Sequence, residues 1–150
     1  SGIAVTIGHT TSETTVADNL TITGNSATTG TSTFTGVATA STSANITQTA
    51  LATSGSTISW NAATHANAYL VPSTNLTMDN PSNAVEGAII SVEIAQGGTP
   101  YTVAWHTNYE FAASTAPTVT ATANKTDIFA FRYNGSVWQE VGRVQNMAQT

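Results

Sequence analysis

Apolar and polar residues alternate along much of this chain, which is the pattern of β-strands. The longest alternating run is 87–95, where Ile90, Val92 and Ile94 are predicted to point inward. Shorter runs separated by turn residues occur at 58–60, 67–71, 75–78, 101–105, 118–122 and 128–133. No segment repeats its apolar residues with a period of 3.6, so we expect little or no helix.

The strongest local signal is Asn134-Gly135, which stands between two runs of β-branched and aromatic residues. This dipeptide predicts a hairpin with a two-residue type I′ turn. Such a turn would place Phe131 opposite Trp138 and Tyr133 opposite Ser136. An aromatic cross-strand pair contributes up to about 1 kcal/mol beyond simple burial.

The second face of this hairpin is predicted to be half apolar, with Ile128 opposite Val141. A strand with apolar side chains on both faces is typical of one covered from both sides. The cover would come from a second sheet or from another subunit.

Strands at roughly ten-residue spacing predict an all-β domain over residues 57–150. We expect an antiparallel β-sandwich of jelly-roll type, here called the knob. The side chains predicted to form the core of the knob are Trp60, Ile90, Val92, Ile94, Val103, Trp105, Phe129, Phe131 and Trp138.

Residues 1–56 have a different composition from the knob. They contain one of the eleven aromatic residues, Phe34, and two of the eleven charged residues, Glu13 and Asp18. Ile3, Val5 and Ile7 alternate with small residues, as do Leu20 and Ile22. The glycines at 24, 30 and 36 are six residues apart, which indicates a repetitive β-structure.

One chain offers too few large side chains in this segment to offset about 1–2 kcal/mol per residue of backbone ordering. Three chains wound around a common axis would bury them together. We therefore expect an intertwined trimeric β-stalk and neck over 1–56, and the alternative is a flexible Ser/Thr/Gly linker. The side chains predicted to form the trimer core are Leu20, Ile22, Phe34 and Ile46.

Charge and composition narrow the possible partners. The net charge of −5, with three basic residues, argues against nucleic-acid binding. No apolar run reaches the roughly 20 residues of a membrane-spanning helix, so we expect no membrane span. The absence of Cys removes disulfides and thiolate metal sites. The chain opens Ser1-Gly2-Ile3, which indicates a processed product, an expression fragment or part of a longer chain.

The sequence predicts no catalytic residue, no metal and no cofactor. None of its three His residues stands in a nucleophile or metal motif. Asp79 with Asn80 and Asn83 offers oxygens to Ca²⁺, but an Asx turn explains the same residues. Several acidic residues could in principle form the carboxylate pair of a glycosidase, but solvation of the surface and protection of strand edges explain them more simply. These acids are Glu86, Glu93, Glu110, Asp127 and Glu140.

One cluster has the composition of a ligand site. His106, Asn108 and Tyr109 follow Trp105, and aromatic faces with imidazole and amide groups suit sugar rings and hydroxyls. The alternative is plain packing or a subunit contact, because Trp105 shares its predicted face with Val103.

Several motifs resemble the C-terminal domain of tailed-bacteriophage virion proteins, chiefly tail fibres. The first set comprises Asp79-Asn80-Pro81-Ser82-Asn83, Gly87, Ile94-Ala95-Gln96-Gly97-Gly98 and Thr102-Val103-Ala104-Trp105. The second set comprises Tyr109, Phe111, Pro117, Asp127-Ile128-Phe129-Ala130-Phe131 and Asn134-Gly135-Ser136-Val137-Trp138. The similarity covers about residues 57–147, and the segments at 19–25 and 31–36 resemble fibre-shaft repeats. This chain has Ala112-Ala113-Ser114-Thr115 where the family often has a Gly pair.

The resemblance implies a virion structural protein on the outside of a phage particle that assembles as a homotrimer. The leading hypothesis is the C-terminal part of a tail fibre, with other virion proteins bound on its N-terminal side. Its knob would attach to a glycan or protein of the host surface. One alternative is a head decoration, cement or head-fibre protein that stabilises the capsid. Another is a carbohydrate-binding β-sandwich module of a secreted protein, or a carbohydrate-active enzyme.

Overall fold

A computed structural model describes residue 16 and residues 19–149. The chain divides into two compact units, residues 1–42 and residues 43–150. All strands of the described chain lie in the second unit.

The second unit is built from short strands and one turn of 3-10 helix. The strands are β1 (Thr49–Ala50), β2 (Ala52–Ser54), β3 (Thr57–Ser59), β4 (Asn67–Leu70), β5 (Leu76–Met78), β6 (Ile89–Ala95), β7 (Val103–Trp105), β8 (Tyr109–Glu110), β9 (Lys125–Tyr133) and β10 (Trp138–Ala148). The 3-10 turn, η1, spans Ala112–Ser114. Within the described residues there is no helix long and apolar enough to cross a membrane.

The strands form two sheets that share one hydrophobic core. Sheet A has the order β1-β4-β6-β9-β10-β8, and sheet B has the order β2-β3-β5-β7. Buried residues from both sheets, such as Phe129 of sheet A and Met78 of sheet B, belong to one cluster. The prediction of an all-β domain is therefore confirmed.

The predicted antiparallel pairing is wrong for most of the strand pairs, because both sheets are mixed. Five of the eight pairings between strands are parallel and three are antiparallel. From β3 to β8 the chain crosses to the other sheet after every strand. Strands that are neighbours in one sheet are then separated by a strand of the other sheet, so they run in the same direction.

The core between the sheets is rich in aromatic and branched side chains. Eight of the nine side chains predicted for it are buried, at 5% exposure or less, and Trp105 is half-buried against them. Each fully buried side chain of this size contributes about 1.5–3 kcal/mol relative to an exposed one. The core also takes in residues that the pattern did not single out, namely Leu51, Ile58, Leu70, Leu76, Met78, Tyr109 and Val119.

The hairpin of β9 and β10 exists, but its predicted register is wrong. Trp138 lies opposite Tyr133, not Phe131, and four residues separate the two strands. Gly135 has a φ of 96°, but Asn134 does not have a positive φ, so the turn is not type I′. The Asn134 side chain instead accepts hydrogen bonds from the N–H groups of Ser136 and Val137, at 3.0 and 2.9 Å. This Asx turn lengthens the loop by two residues.

Further along the hairpin, Ile128 lies opposite Val144 rather than Val141. The pairing shifts between Glu140 and Gly142, where β10 contains one extra residue. This β-bulge adds one position to the two-residue shift from the longer loop, so the partner of Ile128 lies three positions later than predicted.

The strand predicted at 118–122 does not form, although Val119 is buried. The backbone groups of this segment form hydrogen bonds with side chains instead of with a neighbouring strand. Thr120 donates its N–H to Asp127 Oδ2 at 2.7 Å and accepts a bond from Gln96 Nε2 at 2.9 Å. The Thr118 carbonyl accepts a bond from Gln145 Nε2 at 2.8 Å.

In the first unit, the described backbone bends at 23–24, 29–30, 35–36 and 41–42, which is a repeat of six residues. No strand forms in the described part of this unit, and its side chains are exposed in the single chain. The predicted strand at Ile3, Val5 and Ile7 lies outside the described residues. The predicted trimer core side chains Leu20, Ile22, Phe34 and Ile46 are all exposed in the single chain. Because the prediction assigns their cover to other copies, the trimeric stalk stays a prediction, as does the boundary at residue 57.

Candidate functional site

The predicted ligand cluster lies where the chain crosses from the edge of sheet B to the edge of sheet A. Strand β7 ends at Trp105 and β8 begins at Tyr109, and both are edge strands. The His106 N–H donates to the Met78 carbonyl at 3.0 Å, and the Tyr109 N–H donates to the His106 carbonyl at 3.2 Å. The first bond attaches the connecting turn to β5 of sheet B, and the second closes the turn itself.

An open cleft of 480 Å³ is formed at this crossing. Its size falls within the range of small-ligand sites, about 300–1,000 Å³. The residues that line the cleft are Trp105, His106, Thr107, Tyr109, Glu110, Phe111, Ser114 and Ala116. The cleft therefore includes His106 and Tyr109 of the predicted ligand cluster, while Asn108 is not among its lining residues.

Trp105 forms a fixed aromatic wall of the cleft. Its ring centroid lies 5.3 Å from that of Tyr109, 5.4 Å from that of Phe111 and 4.8 Å from that of Phe129, all edge to face. Its indole N–H donates to the Pro117 carbonyl at 3.1 Å. Edge-to-face pairs contribute about 0.5–1.5 kcal/mol each, so the orientation of this half-buried ring is strongly specified.

Tyr109 lines the cleft, but its hydroxyl is engaged within the chain. The side chain is buried, and its hydroxyl donates to the Asp79 carbonyl at 3.1 Å. Burial raises the pKa of Tyr109 far above its usual value of 10.0, and the negative charge of Asp79 raises it further. Tyr109 is therefore neutral, and its hydroxyl already donates its hydrogen within the chain.

His106 has one ring nitrogen engaged within the chain. The Asn108 backbone N–H donates to His106 Nδ1 at 3.2 Å. Since a backbone N–H can only donate, Nδ1 accepts, and the neutral imidazole carries its proton on Nε2. Asn108 holds the turn through its backbone, because its carbonyl also accepts the Trp138 N–H at 2.8 Å.

Glu110 is the charged residue of the cleft lining. Its side chain is exposed, and Oε2 accepts a hydrogen bond from Gln139 Nε2 at 3.0 Å on the neighbouring strand β10. No Lys or Arg lines the cleft. Its polar groups are thus a fixed imidazole donor, a carboxylate acceptor, and the hydroxyls of Thr107 and Ser114.

The turn η1 at one side of the cleft has unusual backbone angles. Ala113 and Ser114 both have a φ of 55°, in the left-handed region that favours glycine. A non-glycine residue held in this region costs about 1–2 kcal/mol.

The other acidic residues considered for chemistry lie outside the cleft lining. Glu140 pairs with Arg143 at 3.2 Å, and Glu86 lies against Gly135 at the hairpin turn. The buried Asp127 accepts hydrogen bonds from Thr120, Gln145 and Asn146, so it has a structural role. Among the described residues, no three metal-binding side chains group together, and Asp79 Oδ1 accepts the Asn80 N–H at 2.7 Å.

A second surface of interest is the outer face of sheet A, here called face A. Its residues form rows across the strands, as the registers show. Ile89 is 64% exposed and Val144 is 56% exposed, although both are large apolar residues. Face A comprises Asn67, Tyr69, Ile89, Ser91, Glu93, Ile128, Ala130, Arg132, Gln139, Gly142 and Val144.

The outer face of sheet B has a different character. There Thr57 lies beside Thr77, and Thr77 beside Ala104, so the row carries small and hydroxyl side chains. Sheet B thus shows the usual alternation of apolar side chains inside and polar ones outside. Face A departs from that alternation, because large exposed apolar residues stand among its polar ones, and the adjacent pair Ile89-Ile90 is the sequence signal for this.

A groove of 410 Å³ lies beside Ile89 on the same side of the sheet. Its other wall includes Ile46, one of the side chains predicted for the trimer core. The Asn67 side chain donates to the Ile46 carbonyl at 3.0 Å, and Gln48 Nε2 donates to Glu93 Oε2 at 3.0 Å. These bonds fasten the start of the second unit against face A.

Comparison with known proteins adds no relative: no protein-family model matches this chain, and no curated protein matches it.

Proposed function

We propose that this chain is the C-terminal part of a homotrimeric bacteriophage tail fibre that attaches the particle to the host surface. The motifs between Asp79 and Trp138 support the family, and face A supports the assembly. The observation that carries the proposal is the set of large apolar side chains exposed on face A, because such side chains are stabilised when a partner covers them.

A second copy of the same chain is the partner that fits face A. The row from β4 to β10 consists of Tyr69, Glu93, Ile128 and Val144, and its three large apolar side chains can contact another copy at a threefold axis. Burial of each such side chain contributes about 1.5–3 kcal/mol when it is complete. The groove between Ile46 and Ile89 gives a recess for an apolar side chain of the next copy.

The two charged residues of face A are complementary in sign. Glu93 and Arg132 form no ion pair with any described residue of their own chain. Around a threefold axis, Glu93 of one copy can pair with Arg132 of the next, and the pattern closes after three contacts. Such a pair determines how two copies align more than how tightly they bind.

Attachment by this assembly is multivalent. A trimer presents three identical clefts, and a particle carries several fibres. Linked weak sites raise overall affinity by about two to four orders of magnitude when they engage together. The host surface therefore needs to offer only a weak, repeated ligand.

Two other functions share part of this geometry. A capsid decoration protein also uses a trimer with an apolar contact surface. A carbohydrate-binding module is favoured by the cleft between Trp105 and Phe111, and it needs no assembly, because one chain holds the whole cleft.

Labelling of intact particles separates these functions. Antibodies raised against residues 43–150, coupled to gold, would be applied to a phage that encodes this chain and imaged by electron microscopy. The fibre proposal predicts gold at the ends of tail appendages. Gold spread over the capsid would favour decoration, and unlabelled particles would contradict a virion role. Particles from a phage lacking the gene serve as the control.

A further inference from the structure

We propose that the cleft between β7 and η1 binds an uncharged sugar ring. This inference deepens the proposed function and rests on it for the source of the sugar, a glycan of the host surface. The ligand class follows from the shape, the polar groups and the charge of the cleft.

The apolar part of the cleft suits the C–H face of a pyranose. Trp105 and Phe111 are both half-buried, so each presents part of its ring to the cleft. Their ring centroids are 5.4 Å apart at an interplanar angle of 60°, which makes an angled aromatic wall. Aromatic side chains with polar neighbours are the usual lining of sites for ligands with one apolar and one polar side.

The polar part of the cleft combines donors and acceptors as a hydroxylated ligand requires. His106 carries its free proton on Nε2, and Glu110 offers a carboxylate as an acceptor. A sugar hydroxyl both donates and accepts, so two neighbouring hydroxyls can use both groups. The hydroxyls of Thr107 and Ser114 adapt to either role.

The charge of the cleft excludes acidic sugars. Glu110 is the acidic residue of the cleft, and no Lys or Arg lines the cleft beside it. A uronic or sialic acid carboxylate would lie near Glu110 without a cation to pair with, and like charges in one site repel. Neutral sugars meet no such penalty.

The cleft is also organised before any ligand binds. Trp105 is held by its neighbours and by its bond to Pro117, and Gln139 holds Glu110. The left-handed conformations of Ala113 and Ser114 fix the facing turn at some cost in energy. Strain of this kind is concentrated at functional sites, and a preformed site loses less entropy on binding.

The test measures binding to the purified chain by NMR. Amide shifts would be recorded during titration with the methyl glycosides of glucose, galactose, mannose, N-acetylglucosamine and sialic acid. We expect saturable shifts at residues 105–116 with at least one neutral glycoside and none with the sialic acid glycoside. Glu110→Gln, at an exposed position, should weaken binding of that neutral glycoside about tenfold. Glu86→Gln, outside the cleft, should leave the affinity unchanged.

The proposal is overturned if no neutral glycoside shifts the cleft amides at 100 mM. It is also overturned if the sialic acid glycoside binds best, or if Glu110→Gln and Glu86→Gln have equal effects. The result is separable from the fibre proposal. A trimer that binds no sugar contradicts the cleft assignment alone, and a monomer that binds sugar contradicts the fibre assembly alone.

Discussion

Tyr133 lies directly opposite Trp138 across the β9–β10 hairpin, and their ring centroids are 4.9 Å apart. The register of this pair is set by the Asn134 side chain, which accepts two backbone N–H bonds within the turn. The turn that joins the two longest strands of sheet A is therefore held in part by one amide oxygen.

Asn134→Ala removes this acceptor, so the N–H groups of Ser136 and Val137 lose their side-chain hydrogen-bond partner. We expect a loss of about 1–2 kcal/mol in the free energy of unfolding, measured by urea denaturation followed by Trp fluorescence. Asn134→Asp keeps an acceptor oxygen at the same position and should lose much less. Equal losses in the two variants would contradict the role of the Asx turn.

Trp60 and Trp138 are both buried, but they differ in their indole N–H groups. Trp60 Nε1 donates to the His65 carbonyl at 2.8 Å, whereas Trp138 Nε1 has no partner among the described residues. Trp60→Phe should therefore cost about 1 kcal/mol more than Trp138→Phe, because only the first loses a hydrogen bond. Urea denaturation measures both values. A larger loss for Trp138→Phe would contradict this difference.

Much of the strand pattern was readable from the sequence, and the pairing was not. Alternation in 87–95 predicts the buried side of β6, where Ile90, Val92 and Ile94 are buried. Alternation records which side of a strand faces the core, but it carries no information on the neighbouring strand. Loop length did not reveal the pairing either, because even the short loop from β7 to β8 leads to the other sheet.

The cleft was predictable in part. The cluster at 105–109 marked its position, because aromatic, imidazole and amide groups rarely follow one another by chance. The burial of Tyr109 depends on its bond to Asp79, thirty residues away in sequence. Ser114 lines the cleft in a turn where Ala113 and Ser114 have left-handed backbone angles, and local residue patterns do not encode such angles for alanine and serine.

Raised pH should destabilise the fold through Tyr109. The folded pKa of this phenol lies above its unfolded value of 10.0, so its contribution to stability is fully present below pH 10. The contribution is lost progressively as the pH rises above 10, because the unfolded state then releases the proton first. Tyr109→Phe should remove this part of the pH dependence, as measured by melting temperatures between pH 8 and pH 11. Tyr69→Phe, at an exposed position, should not.

Ala113→Gly should stabilise the chain by about 1 kcal/mol, because glycine adopts the left-handed conformation without a steric penalty. Asn124 also has a positive φ, of 56°, but Asn tolerates this region. Asn124→Gly should therefore change the free energy of unfolding by only a few tenths of a kcal/mol. Thermal denaturation of the two variants measures both changes in stability. A loss of stability in Ala113→Gly would contradict the strain at η1.

We propose that further copies of the same chain cover face A. The paired variant Ile128→Glu and Val144→Glu places charges in the middle of face A and should dissociate the assembly at this surface. Thr77→Glu, on the outer face of sheet B, is the matched control, because it adds a charge to an exposed strand position away from face A.

Light scattering of the purified chain tests this claim most directly. We predict a particle of three times the chain mass of 15.4 kDa for the natural sequence and for Thr77→Glu, and a smaller particle for the face A variant. A single-chain mass for the natural sequence at all concentrations, or equal masses for all three proteins, would contradict it.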